Sequence, residues 1–283
     1  MPRRRKKKKR STSEAELIVE PKNEHTHTVI MLHGTYYDGT EFEDLPDLVR
    51  QEVKQRGSWD ADGIKYIFPH SPLNEDGDNF WYDYLADDDA HEMQCDNDEI
   101  DLEQWNTQLR RIAGIVENEV AALGDSKKVF LGGNSAGGTI AIHVALHHCA
   151  APLGGLFCLR TCPMRHSLGP AEPKPGRGEP DGSLLTATEM PVFAYQAGCD
   201  DTYIPELQAR NYSVIEDAGI VVTRHVKPDG THDEDDPEEN PKVAEWIADF
   251  GWNSNKVPRC HRQCVPLQPR ACLGCLTRNT AVL

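Results

Sequence analysis

Gly133-Asn134-Ser135-Ala136-Gly137 places a serine between two glycines, at a point where a short apolar run gives way to a helical pattern. Residues 128–131 before it are strand-like, and residues 139–148 after it space small and apolar side chains as a helix does. A G-x-S-x-G at such a junction predicts a turn so tight that the positions two before and two after the serine cannot carry a Cβ. The turn would lift the Ser135 hydroxyl above a sheet and aim a helix N-terminus at it. Attack on a carbonyl carbon is the chemistry this permits, and it needs a base to take the proton and a carboxylate to orient the base. A glycine-rich turn with no chemistry is the competing reading.

The order Ser, acid, His accompanies such a turn. After Ser135, the apolar run 192–196 ends in Ala197-Gly198-Cys199-Asp200-Asp201, and the run 221–226 ends in Lys227-Pro228-Asp229-Gly230-Thr231-His232. An acid and a base thus fall at the same strand ends as the serine, where open α/β sheets bind ligands. Asp200 and Asp201 compete for the acid's role. An oxyanion needs two backbone donors: the N–H of Ala136, and one from the loop Leu32-His33-Gly34-Thr35-Tyr36-Tyr37-Asp38-Gly39, where Thr35 is the best candidate. His33 precedes the serine and reads as a brace for that loop.

These residues need a scaffold, and the pattern supplies one. Apolar runs at 28–32, 64–68, 128–131, 155–159, 192–196 and 221–226 alternate with helical patterns at 41–54, 101–123, 136–148, 205–218 and 241–250. Leu102, Trp105, Leu109, Ile112, Ile115 and Val116 recur at three- and four-residue steps. Strands alternating with helices predict an α/β fold, a mostly parallel sheet covered on both faces. Two stretches break the rhythm: an acidic one at 86–101, and a Pro- and Gly-containing one at 163–191 that reads as a long loop, a lid or substrate wall.

Of 283 residues, 30 are basic and 46 acidic, for a formal net charge of −16. Arg3 to Arg10 carry eight of the 30, so the remainder has 22 against 46, or −24. A body that acidic argues against non-specific nucleic-acid binding by the globular part, and no specific nucleic acid is expected. The basic arm, residues 1–21, is a candidate for nuclear import or weak contact with an anionic membrane, set against a solvated tail with no partner. There is no run of 18 apolar residues and no apolar stretch after the basic start, so neither a membrane span nor a secretory leader is expected. Nine cysteines without a leader suit a reducing compartment, cytoplasmic or nuclear. Cys260, Cys264, Cys272 and Cys275 cluster in residues 253–283. Zinc binding and reversible acylation are weighed there against an unstructured tail, which the unusual spacing favours.

Taken together, these motifs resemble the acyl-protein thioesterase/carboxylesterase-phospholipase branch of the α/β-hydrolases. The carriers are Ile30-Met31-Leu32-His33-Gly34, Phe68-Pro69-His70-Ser71-Pro72, Trp81-Tyr82-Asp83, Leu131-Gly132-Gly133-Asn134-Ser135, Gly198 to Pro205, and Gly230-Thr231-His232 with Pro237-Glu238-Glu239. They run in order from about residue 26 to 252, and the catalytic domain is expected at 22–252. The resemblance implies an eight-stranded-type α/β-hydrolase domain and a serine hydrolase of carboxylic esters and thioesters. Its substrate would be an acylated protein or a small lipid ester, and it would need no metal or organic cofactor. By the spacing to Ile204-Pro205, the resemblance selects Asp201 over Asp200 and implies a triad of Ser135, Asp201 and His232. Asn134 and Ala136 depart from the family's elbow, and the Thr35 loop departs from its first loop. Arg160, Arg165 and His166 follow strand 155–159, where the family walls an acyl channel, and imply a shallow channel suited to short and medium chains. The alternative is a ligand-binding protein on the same fold that has lost the chemistry.

Overall fold

The computed structural model describes residues 16–56, 60–74, 76–85, 100–168, 189–234 and 236–250. The basic run Arg3 to Arg10, the clustered cysteines and most of the 86–101 and 163–191 stretches lie outside the described residues.

Among the described residues seven strands form one sheet: β1 Leu17–Val19, β2 His27–Leu32, β3 Ile64–Phe68, β4 Val129–Asn134, β5 Gly155–Leu159, β6 Val192–Ala197 and β7 Val222–Lys227. Their spatial order is β1-β3-β2-β4-β5-β6-β7, parallel throughout except for β1, which pairs antiparallel with β3. The six expected strands are all present, and their ends differ from the expectation by three residues at most. β1 is the addition. Leu17, Ile18 and Val19 pair with Phe68, Ile67 and Tyr66, so the arm expected to extend to residue 21 ends earlier.

Among the described residues five helices connect the strands, α1 Leu45–Arg56, α2 Leu102–Leu123, α3 Ser135–His143, α4 Arg165–Leu168 and α5 Pro205–Asp217, and α6 Glu239–Phe250 follows β7. A π-helical turn, Val144–His148, continues α3. Asp101 starts α2 by accepting from the N–H groups of Glu103 and Gln104, and Gly124 ends it in the left-handed region at φ 68°.

Strand alternation divides the interior into two cores. From β2, β4, β5 and β6, the side chains of Ile30, Leu32, Leu131, Leu156, Cys158 and Ala194 meet Trp105, Leu109 and Ile112 of α2, Ile140 of α3 and Tyr212 of α5. Their neighbours Val29, Met31, Phe130, Phe157, Leu159, Phe193 and Tyr195 point to the other face, against Val49 and Val53 of α1 and Val243, Trp246 and Ile247 of α6. Burial on both faces is why these strands read as continuous apolar runs. With β4 near the middle of the sheet, its C-terminal end is flanked by the ends of β2 and β5. Among the described residues no helix is long and apolar enough to cross a membrane.

Candidate active site

The β4–α3 junction is as tight as its glycines require. A Cβ on Gly133 would lie within 2.7 Å of the Gly137 and Gly138 backbone, and one on Gly137 would run into the carbonyls of Leu32 and His33. Ser135 sits between them at φ 50°, a left-handed conformation uncommon for a residue with a Cβ. Its carbonyl accepts a bond from Thr161 Oγ1 at 2.9 Å, which ties the elbow to the residues after β5.

The Ser135 hydroxyl lies 2.9 Å from His232 Nε2, and His232 Nδ1 lies 3.1 Å from Asp200 Oδ2. The acid beside the imidazole is therefore Asp200, not the expected Asp201. Asp200 Oδ1 accepts the N–H groups of Thr202 and Tyr203, at 3.0 and 2.8 Å, and this turn aims Oδ2 inward at the ring. Asp200 is buried, while Asp201 points to solvent. The ring of Tyr203 packs against the imidazole at 5.4 Å. Of the acidic run after His232, Asp236 is held by Tyr195 Oη and Lys227 Nζ.

Beside the serine lies the loop after β2. A Cβ on Gly34 would be 3.6 Å from that of Ser135. Within this loop the N–H of Gly34 donates to Glu41, that of Tyr36 to Asn79 and that of Tyr37 to Gly34. Among the described residues the N–H of Thr35 makes no such bond. Ala136 lies in the first turn of α3, where backbone N–H groups lack helical acceptors. His33 is buried, and burial lowers its pKa to about 4, so the ring is neutral. Its Nδ1–H donates to the Gly34 carbonyl at 2.7 Å, and Nε2 accepts from the N–H of Ser71 at 2.9 Å. Both ring nitrogens are committed to holding the loop.

Arg160 is not a channel-wall charge. It is buried, bonds both carboxylate oxygens of Glu239 and donates to the carbonyls of His232 and Glu234. Arg165 is exposed on α4, and His166 is half-buried beside it. A cleft of about 460 Å³ is lined by Leu73, Phe80, Trp81, Gln104 and Gln108 among others, and by none of Ser135, His232 or Asp200. Trp81 connects it to the first loop by donating its indole N–H to the His33 carbonyl. Among the described residues no cluster of three or more His, Cys, Asp or Glu is arranged to hold a metal ion.

The sequence profile of the phospholipase/carboxylesterase family matches residues 13–249. The chain belongs to that family. This member is 23% identical over 237 residues to lysophospholipase-like protein 1 of Mus musculus, across 81% of this chain and 89% of that one. It is 28% identical over 166 residues to acyl-protein thioesterase 1 of Cryptococcus neoformans, across 56% of this chain and 63% of that one. Among solved structures it is similar to Arabidopsis thaliana SOBER1, with a TM-score of 0.60 and 18% identity over 80% of this chain and 99% of that one. Zea mays acyl-protein thioesterase 2 has a TM-score of 0.59 and 17% identity over 84% and 99%. These two likenesses establish the fold, and the family's α/β-hydrolase architecture is the one described above. The family is one of esterase-type hydrolases.

Two residues of this family member's site were not singled out in its sequence. Glu41 reads as the start of a helical pattern, and Glu239 as part of a Pro-Glu-Glu run. Glu41 in fact lies in a 3-10 turn before α1, bonded to Gly34 and Asn134.

Proposed function

We propose that the chain hydrolyses carboxylic esters and thioesters through an acyl-Ser135 intermediate. The hydrogen-bonded chain Ser135–His232–Asp200 at the C-terminal edge of the sheet carries this reading. With Asp200 accepting from Nδ1–H, the lone pair of His232 Nε2 faces the serine hydroxyl and takes its proton as Oγ attacks the carbonyl carbon. The N–H groups of Thr35 and Ala136 would donate to the resulting oxyanion. Collapse expels the alcohol or thiol, which takes the proton from His232. Water, activated by the same nitrogen, then releases the acid and restores the serine. An acylated protein or a small lipid ester fits this chemistry as substrate.

A fluorophosphonate probe tests the nucleophile. The wild type should label and turn over p-nitrophenyl and thioester substrates, and Ser135→Ala should do neither. A mutant that still labels would refute the assignment. A wild type that neither labels nor hydrolyses any ester would favour a binding protein on this fold. Substrate size is read from an acyl series. Each CH₂ buried in an apolar channel contributes about 0.8 kcal/mol, so kcat/KM climbing through palmitoyl would mark a long-chain thioesterase.

A further inference from the structure

Besides the loop after β6, which carries Asp200, three loops carry the parts of the site: the one after β2 the oxyanion donor, the β4–α3 turn the nucleophile, and the one after β7 the base. Apolar packing fixes the strands beneath them, but the loop tips lie above both cores. One polar cluster reaches all three. Glu41 Oε2 accepts the N–H of Gly34 at 2.9 Å, and its Oε1 accepts from Asn134 Nδ2 at 2.5 Å, so one carboxylate joins the first loop to the residue before the nucleophile. Arg160 lies at the end of β5, its Nη2 4.0 Å from Glu41 and 2.9 Å from Glu239. Its Nε bonds the other Glu239 oxygen at 3.0 Å. Its Nη1 grips the carbonyls of His232 at 2.7 Å and Glu234 at 3.1 Å.

The cluster is costly to keep. Side-chain exposure is 11% for Glu41, 7% for Arg160 and 7% for Glu239. Burial raises the Glu41 pKa to about 7 and also raises that of Glu239. Arg160 adopts φ 44°, a left-handed backbone that its side chain disfavours. Apolar residues of similar volume would stabilise such a space at least as well as buried charges do. What apolar residues cannot do is bond a Gly34 N–H, an Asn134 amide and a His232 carbonyl at fixed distances.

We propose that Glu41 and Arg160, backed by Glu239, are positioning residues that hold the oxyanion loop, the nucleophile turn and the His232 loop in register for the reaction at Ser135. This rests on the serine-hydrolase reading and extends it to residues that do not touch substrate.

Titration with a fluorophosphonate counts competent sites, so turnover per titrated site separates register from simple loss of folded protein. Arg160→Lys keeps a positive charge opposite Glu239, but one ammonium cannot span two carboxylate oxygens and two carbonyls. It should fold, titrate fully and show kcat per site reduced about ten-fold or more, with KM within about three-fold. Glu41→Ala should behave alike. Glu41→Gln should recover most of the loss, because its oxygen can accept from Gly34 while its amide donates to Asn134 Oδ1 once the Asn134 amide turns over to present that oxygen, which has no partner among the described residues. Turnover per site within two-fold of wild type in Arg160→Lys would overturn the proposal, and that variant decides the matter if Glu41→Ala does not fold. A merely structural role would lower the number of titratable sites and leave kcat per site unchanged, which also overturns it. Wild-type protein that fails to label overturns the serine reading first, and the register proposal with it.

Discussion

Replacing Asp200 by Asn tests the assignment of the acid, and its effect can be worked from the hydrogen bonds. Asp200 Oδ1 is committed to the N–H groups of Thr202 and Tyr203, so an Asn oxygen stays there and its NH₂ replaces Oδ2, 3.1 Å from His232 Nδ1. An NH₂ facing Nδ1 requires that nitrogen to accept, which moves the ring proton to Nε2. That atom lies 2.9 Å from Ser135 Oγ and can no longer take its proton. The same tautomer error lowers kcat about 10⁴-fold in the serine-protease triad, or about 5 kcal/mol of barrier. Asp200→Asn should therefore lose about four decades of p-nitrophenyl ester turnover while its thermal melt stays near wild type. Asp201→Asn, at an exposed position, should stay within about three-fold of wild type. A crippled Asp201→Asn beside a mild Asp200→Asn would refute the assignment and restore the register implied by the family's spacing.

Gly137→Ala should yield no stable folded protein, or lower stability by about 4 kcal/mol or more in a denaturant melt, because the new methyl meets the Leu32 and His33 carbonyl backbone. Gly114→Ala, in the middle of α2 with open space around it, should instead raise stability by about 0.5–1 kcal/mol, seen as a rise of about 1–4 °C in Tm. His143 is held neutral, its pKa lowered to about 2 by burial and then by His147, His148 and His166. The unfolded chain takes up that proton below about pH 6.5 while the folded one does not, so stability present at neutral pH is lost as pH falls. The stability difference between wild type and His143→Phe should shift by about 2 kcal/mol in the variant's favour from pH 7.5 to pH 5. An unchanged difference would mean that the ring is protonated in the native state.

Which parts of this architecture were legible from sequence follows from the range of the forces that set them. The buried strands announced themselves because each is apolar on both faces, and α2 because Trp105, Leu109, Ile112 and Val116 mark one stripe. Gly133 and Gly137 fixed the elbow, since steric exclusion of a Cβ leaves a trace in composition. Asp200 and Asp201 could not be told apart by spacing. What separates them is a turn in which Oδ1 caps Thr202 and Tyr203, a matter of side-chain direction. Arg160 read as a wall charge because its partner, Glu239, lies 79 residues away. Glu41 was one acid among 46, and what distinguishes it is a bond to Asn134, 93 residues on. β1 is only three residues long and follows an arm dominated by charge, so its pairing with β3 left little local pattern.

The long separation between nucleophile and base also has a consequence in time. Ser135 and His232 are 97 residues apart, and Glu239, which anchors the Arg160 grip on the His232 loop, comes later still on α6. At about 5–20 residues per second, a ribosome takes roughly 5–20 s to add the base after the nucleophile. α6 must then dock beside α1, made near the start of the domain, before the His232 loop is anchored. On the proposed mechanism, a nascent chain, or one truncated before His232, holds a serine with no proton acceptor, and hydrolytic competence would arrive only when synthesis of the domain is complete.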